Sequence, residues 1–359
     1  MKGVDFLKAA FREYYFKMSD RVEVPEHIEE REFGYQNFEG VMIRHLSFRD
    51  GGDLRAFLLR EVPAGVYCSP ARYTDPTLPM EEKGWKEADL IFDIDADELE
   101  CKCWNEYRYW ICESCSAIHK GAKLDECPTC GSGRLRPVNF VCDECIKKGL
   151  GEVSKLLEIL KEDFGVKEGD VKVYFSGNVG FHIHVKDERF KGLGPAERAE
   201  ICDYLMGRGL MPEVFGFGRG MPLASRWRDR VLDSFSLAEL RRRYRKMGYE
   251  GFRSWLEQVA LEAGAHIDPS VTIDVHRIFR LPGTLHRKSG MAKVGVRGPG
   301  FDPFRDAMPF GSEPVRLFVE RSPRLDFRGE PFGPFEREEV ELPKGLAVYL
   351  VAKGVARPL

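Results

Sequence analysis

Three groups of residues in this chain have the types and spacing to do chemistry. In the run DLIFDID at 89–95, Asp93 and Asp95 alternate with Leu90, Phe92 and Ile94. A strand there buries the apolar set and turns both carboxylates to the opposite face. Like charges held so close repel, and hard oxygen ligands at this spacing suit Mg2+ or Mn2+ rather than zinc. The plainer alternative is a polar strand end, with Asp97 and Glu98 continuing an acidic surface, because two aspartates one residue apart are a weak motif alone.

The second group is YFSGNVGFHIHV at 174–185. Ser176, Gly177, Asn178 and Gly180 form a turn between two strand-like runs, whose amides, free of bulky side chains, can approach phosphate. Beyond it Phe181, Ile183 and Val185 alternate with His182 and His184, so both imidazoles face away from the apolar set. The third group is HIDPSVTIDVHRIFRLPGTLHRKSG at 266–290. Val271, Val275, Ile278 and Phe279 carry helical spacing, Thr272 is a capping candidate, and Pro282-Gly283 supplies a stop. Asp268 before this helix is a candidate third carboxylate and Asp274 its rival. Arg280, His286, Arg287 and Lys288 at the exit turn are donors suited to a triphosphate. The bland alternative is a helix-dipole charge at Asp274 followed by a solvated basic loop.

Cysteines make a fourth pattern. Of ten, eight lie within 101–145, which suits metal rather than a disulfide framework. Cys112-x-x-Cys115 and Cys127-x-x-Cys130 are two knuckles able to deliver four thiolates to a tetrahedral zinc. Cys101, Cys103, Cys142 and Cys145 flank them and are able to close a second such site at the base. The alternatives are that one of these thiols is spare or that His119 replaces a cysteine.

The elements that must hold these groups are short strands at 41–48, 89–95, 171–175 and 181–185, with amphipathic helices at 5–18 and 152–164, the latter stopped by Gly165. This mixture indicates an α/β (α+β) domain built on a mixed sheet. The expected organisation is a discontinuous core of residues 1–99 and 148–330, a metal-binding insertion at 100–147 and a helical insertion at 234–264. The helical insertion carries Arg241, Arg242, Arg243, Arg245 and Lys246, a run that ordinarily marks a solvated face. The segment from about 322, including a tail at 331–359, reads as irregular and peripheral.

At 359 residues and 31% charged, the chain is long enough for a sizeable core. Its formal charge of −3 gives no global field for a polyanion, so such a site must be local. No run approaches a membrane span and the start is unlike a secretory leader, so a cytoplasmic protein without membrane contact is expected.

Taken in series, REFGY at 31–35, MIRHLSF at 42–48, FDIDAD at 92–97, the cysteine region, SGNVGFHIHV at 176–185 and VTIDVHRIFRLPGTLHRKSG at 271–290 resemble the catalytic small subunit of archaeal and eukaryotic DNA primases, the archaeal branch more closely. The resemblance spans roughly residues 30–300. It implies a primase core that makes short primers for replication by two-metal-ion nucleotidyl transfer from NTPs, with release of pyrophosphate. Asp93, Asp95 and Asp268 become the Mg2+ or Mn2+ ligands, with Asp274 supporting them from outside. Ser176, His182, Arg280 and His286 become phosphate contacts, with Lys288 in the basic loop. Cys101, Cys103, Cys142 and Cys145 match the family's cysteine site, and the inner four cysteines look like an added ribbon.

The resemblance also implies partners: the primase large subunit with its iron-sulfur domain, a single-stranded DNA template, and NTP or dNTP in a nucleoid-associated, cytoplasmic setting. One departure stands out. The family places one or two arginines between the glycines of the turn, where this chain has Asn178 and Val179, so some phosphate contact is weaker or supplied elsewhere. Two other functions fit the same parts: a freestanding repair primase-polymerase, and a non-catalytic zinc-ribbon protein that binds nucleic acid.

Overall fold

Alternating apolar residues make the strands, and every recorded pairing is antiparallel. The structure, a computed structural model, describes residues 2–96, 98–99, 101–218 and 226–359; Asp97 lies outside them. A first sheet orders its strands Phe279–Arg280, Gly65–Tyr73, Arg31–Gln36 and Met42–Leu46, with Trp85–Ala88 pairing on Gly65–Tyr73. A second orders Val294–Gly295, Val171–Phe175, Gly180–Val185 and Leu90–Asp95. The class is α+β. Where the sequence reading expects a mixed sheet, these sheets are antiparallel, because neighbouring strands follow one another through turns or meet from distant segments without a parallel crossover.

The sheets meet at one aromatic ring. Phe279, on the edge strand of the first, lies against His182 and His184 of the second, with ring centroids 5.5 and 6.3 Å apart. Behind the second sheet packs the helix Asp143–Phe164, which ends at Gly165 in the left-handed region (φ 63°). It starts nine residues earlier than its apolar periodicity suggests, with Cys142 as its N-cap. Gly149 lets it sit close, since a Cβ there would lie 2.7 Å from the Phe181 ring and 3.1 Å from Ala96 Cβ.

Two expectations fail. The helix anticipated from Val271 to Phe279 is only Pro269–Ile273, capped at its start by Asp268 rather than by Thr272, whose hydroxyl donates instead to the Ile91 carbonyl at 2.8 Å. Asp274 already closes this helix, and Phe279–Arg280 is extended, paired with Cys68 and Tyr67. Short-range periodicity there reports burial between two sheets rather than one helical face.

The C-terminal segment is not peripheral. Phe335–Pro343 and Ala356–Pro358 flank Pro314–Ser322 in a third sheet. Between them KGLAVYLVAK forms the helix Lys344–Lys353, with Leu346 to Leu350 entirely buried. A helix apolar all round belongs in a core. It packs on the first helix, Lys2–Met18, where Val351 lies beside Gly3 and Lys344 reaches Glu13 at 2.5 Å.

The cysteine region forms a small sheet of Ile118–Lys120, Arg108–Cys112 and Leu135–Asn139. Residues Leu237–Ala263 form a helix broken at Gly248 (φ 71°). Its halves fold on each other through an edge-to-face Tyr244–Phe252 contact and Arg243 over Trp255, while Arg241, Arg242, Arg245 and Lys246 stay exposed. No helix among the described residues is long and apolar enough to cross a membrane.

Candidate active site and metal centres

Strand register builds the site. Asp93 is the cross-strand partner of His182, and Asp95 that of Gly180. The glycine has a steric reason: a Cβ on Gly180 would lie 2.9 Å from Asp95 Oδ1 and 2.9 Å from the Ile94 carbonyl. Asp268 joins from far along the chain, its backbone N–H donating to the Asp93 carbonyl at 3.0 Å, and its carboxylate accepts from Ser270 N at 2.9 Å. The three sequence-selected aspartates are therefore neighbours. Asp274 accepts from His276 N at 2.9 Å.

Burial, then Asp95, then Asp268 push Asp93 up to about 8, and its Oδ1 is a buried acceptor without a hydrogen-bond partner. His182 Nε2 stands 3.6 Å from that oxygen. An unsatisfied carboxylate oxygen among acidic neighbours is a donor set that fits a hard divalent cation.

The turn and the basic loop meet at Gly177 (φ 90°), where a Cβ would lie 3.1 Å from His286 Cβ and 3.2 Å from the Met291 carbonyl. Ser289 donates its hydroxyl to the Gly177 carbonyl. Ser176 closes the turn by donating its N–H to Gly180 O at 2.8 Å, and its Oγ accepts from Asn178 N at 3.4 Å. His286 Nδ1 accepts from Lys288 N at 3.0 Å, leaving Nε2 to carry its ring proton. Burial followed by surrounding cations holds His182 and His286 well below the usual histidine range. Lys288 is exposed at the loop tip.

Arg280 is more committed than its sequence context suggests. It is buried, donates to the Leu285 carbonyl at 3.1 Å and to the Tyr67 hydroxyl at 2.9 Å, and stacks over the Tyr67 ring at 4.8 Å. It fixes the loop leading to His286 while keeping a positive charge beside the imidazoles.

Two lysines escape sequence reading. Lys293, wholly buried, has its amine 3.0 Å from both His182 Nδ1 and His184 Nε2. Lys353 reaches from the last turn of the C-terminal helix to Asn178 Oδ1 at 2.9 Å and the Asn139 carbonyl at 2.6 Å. No local motif announces either one; only the alternation around Ala292-Lys293-Val294 hints that Lys293 belongs to a sheet.

The sulfurs of Cys112, Cys115, Cys127 and Cys130 lie within 4.8 Å of one another. N–H groups of Cys115 and Ser114 aimed at Cys112 pull its thiol down to about 6, favouring the thiolate a metal needs. His119 Nε2 stands beside this group, 3.3 Å from Cys127 Sγ. At the base, Cys101, Cys103 and Cys145 make a second group within 4.8 Å. Cys142 hydrogen-bonds to Cys103 and Cys145 from just outside it. This base packs with Ala96 and Val179, directly behind the carboxylate strand and the turn. Both cysteine groups are therefore able to hold a structural metal.

A family profile described as DNA primase small subunit matches residues 139–297. The DNA primase small subunit PriS of Cenarchaeum symbiosum is 41% identical, over 99% of this chain and 98% of its own. Those of Nitrosopumilus maritimus and Archaeoglobus fulgidus are 39% and 34% identical, covering 98% of this chain in each case and 98% and 97% of their own. The chain belongs to the DNA primase small-subunit family. This primase small subunit is of the archaeal type and is a nucleotidyltransferase-type enzyme acting in DNA replication. A remoter likeness of the primase subunit is to the polymerase domain from Mycobacterium tuberculosis Ligase D in complex with DNA. It has TM-score 0.40 and 10% identity, over 82% of this chain and 84% of that one.

Proposed function

We propose that this primase subunit joins nucleotides on a single-stranded DNA template at a centre formed by Asp93, Asp95 and Asp268, using NTPs or dNTPs and releasing pyrophosphate. The buried, unpartnered Oδ1 of Asp93 beside two further carboxylates carries the reading. The three aspartates would hold Mg2+ or Mn2+, which when bound lowers the pKa of the attacking hydroxyl and neutralises phosphate charge.

The chain's own contribution is positioning and charge compensation. A 3′-oxygen forms its bond to the α-phosphorus as the bond to the β-phosphate oxygen breaks, and pyrophosphate leaves with the electron pair. Charge accumulates on the β- and γ-phosphate oxygens, toward which Nε2–H of His182 and His286, the Ser176 turn and Lys288 supply donors. Arg280 holds the loop and adds long-range positive charge.

Zinc is assigned to Cys112, Cys115, Cys127 and Cys130, and a second zinc to the base group of Cys101, Cys103, Cys142 and Cys145. Both ions are structural, because four thiolates leave no open position. The partner is the primase large subunit, since a chain of net charge −3 holds template weakly alone. The protein works in the cytoplasm, on the nucleoid.

Primer synthesis on single-stranded template, with and without the large subunit, tests this reading. Asp93→Ala, Asp95→Ala and Asp268→Ala should each abolish incorporation while thermal unfolding stays cooperative. Wild-type synthesis by these variants would reject the centre.

A further inference from the structure

We infer that Lys293 is a positioning residue for the incoming nucleotide: its amine locks the ring proton of His182 on Nε2, so that this imidazole meets the triphosphate only as a donor. The inference rests on the reading of His182 as a phosphate contact.

Lys293 enters the second sheet one residue before the edge strand Val294–Gly295. There its amine reaches across Val171–Phe175 to lie between two imidazoles of the histidine strand Gly180–Val185. His182 and His184 point to the same face, their rings only 22° from parallel and 6.5 Å apart. The amine lies 3.0 Å from one nitrogen of each and 5.0 Å above the Tyr174 ring. Tyr174 is held in turn by its hydroxyl donating to Glu23 at 2.9 Å. The lysine is thus fixed from three sides and has no solvent exposure.

Proton inventory decides what this does. As an ammonium the group has three N–H donors and no acceptor, so toward both ring nitrogens it only donates. A neutral imidazole has one N–H and one acceptor. If His182 Nδ1 accepts from Lys293, its proton must sit on Nε2, the nitrogen that faces Asp93. If His184 Nε2 accepts, its proton sits on Nδ1. The opposite tautomer of His182 would point a lone pair at phosphate oxygens and leave Nδ1–H facing the amine.

His286 reaches the same state by another route. Its Nδ1 accepts from the backbone N–H of Lys288, which also leaves the proton on Nε2. Both imidazoles of the phosphate-facing set are therefore fixed as Nε2 donors, one by a main-chain amide and one by a buried side chain. That convergence from unrelated elements gives Lys293 a purpose that core filling does not, since a methionine would fill the same volume.

The test reads the tautomer directly. Long-range 15N–1H correlation spectra of the nucleotide-free protein should show His182 protonated at Nε2 and not at Nδ1. In Lys293→Met the two forms should mix, and KM for the incoming nucleotide should rise about 10- to 100-fold, the scale of one hydrogen bond to a charged group. The turnover number should change far less, and Lys293→Arg, which keeps the donors, should restore much of the loss.

A wild-type His182 protonated at Nδ1 overturns the inference without any variant, so poor folding of Lys293→Met does not protect it. So does Lys293→Met with unchanged tautomer and KM. Failure of the active-site reading is a different result, namely primer synthesis by Asp93→Ala, and it leaves the ring-proton measurement standing.

Discussion

Lys353 donates to the side-chain oxygen of Asn178 at 2.9 Å, joining the last turn of the C-terminal helix to the glycine turn that faces the basic loop. Asn178 stands in the turn where the family resemblance implies arginine, and a buried lysine from elsewhere in the chain brings positive charge to it. The ammonium also acts on His286, helping to hold it neutral. Lys353→Met should therefore raise KM for nucleotide by about tenfold, the scale of one lost charged hydrogen bond. Steady-state incorporation kinetics check this, and Lys353→Arg should be the milder variant.

Gly180→Ala should damage catalysis more than stability. The added methyl would press on Asp95 Oδ1 and the Ile94 carbonyl, each 2.9 Å away. Strain of this kind typically costs about 1–3 kcal/mol. It falls on a proposed metal ligand, so incorporation should drop at least tenfold by about the same energy scale, with a small shift in urea midpoint. An active Gly180→Ala protein would show that Asp95 need not keep this position.

Divalent-ion binding should be coupled to protons. Burial and two neighbouring carboxylates raise Asp93 to about 8, so below that pH it holds a proton which a cation must displace. Affinity should weaken on acidification, by about tenfold per pH unit for one displaced proton. Calorimetric Mn2+ titrations from pH 8 to pH 6 measure the slope, and Asp93→Asn should flatten it.

The two cysteine groups should differ in their effect on the site. Each should bind one zinc. Cys145→Ala should lose the base metal and speed amide exchange across 176–180, because that base packs with Ala96 and Val179, and Ala96 N donates to Val179 O at 2.9 Å. Cys127→Ala should lose the other metal and leave exchange in 176–180 unchanged, since its ribbon is a separate small sheet. Zinc content and exchange measured on the same samples decide it.

Local pattern made the strands readable: period-two alternation picks out Leu90–Asp95 and Gly180–Val185, and with them which carboxylates and imidazoles share a face. Asp268 stands out as the carboxylate ahead of an expected helix, and the helical period behind that expectation is misleading. Val271 and Phe279 are buried with Ile91 between two sheets, so their spacing imitates a helix that stops at Ile273. Lys293 and Lys353 were illegible for a different reason. Each acts across more than 100 residues of chain on a partner that no window of sequence contains. The segment after 322 misled because its charged strands surround an apolar helix whose burial depends on the first helix of the chain.

That last arrangement has a consequence for synthesis. Residues 2–18 are made long before the helix 344–353 that completes their cover, and Lys353 of that helix also supplies the contact to Asn178. Until that helix has docked, the nucleotide pocket lacks one of its supports, and part of the apolar flank of residues 2–18 stays open to chaperones.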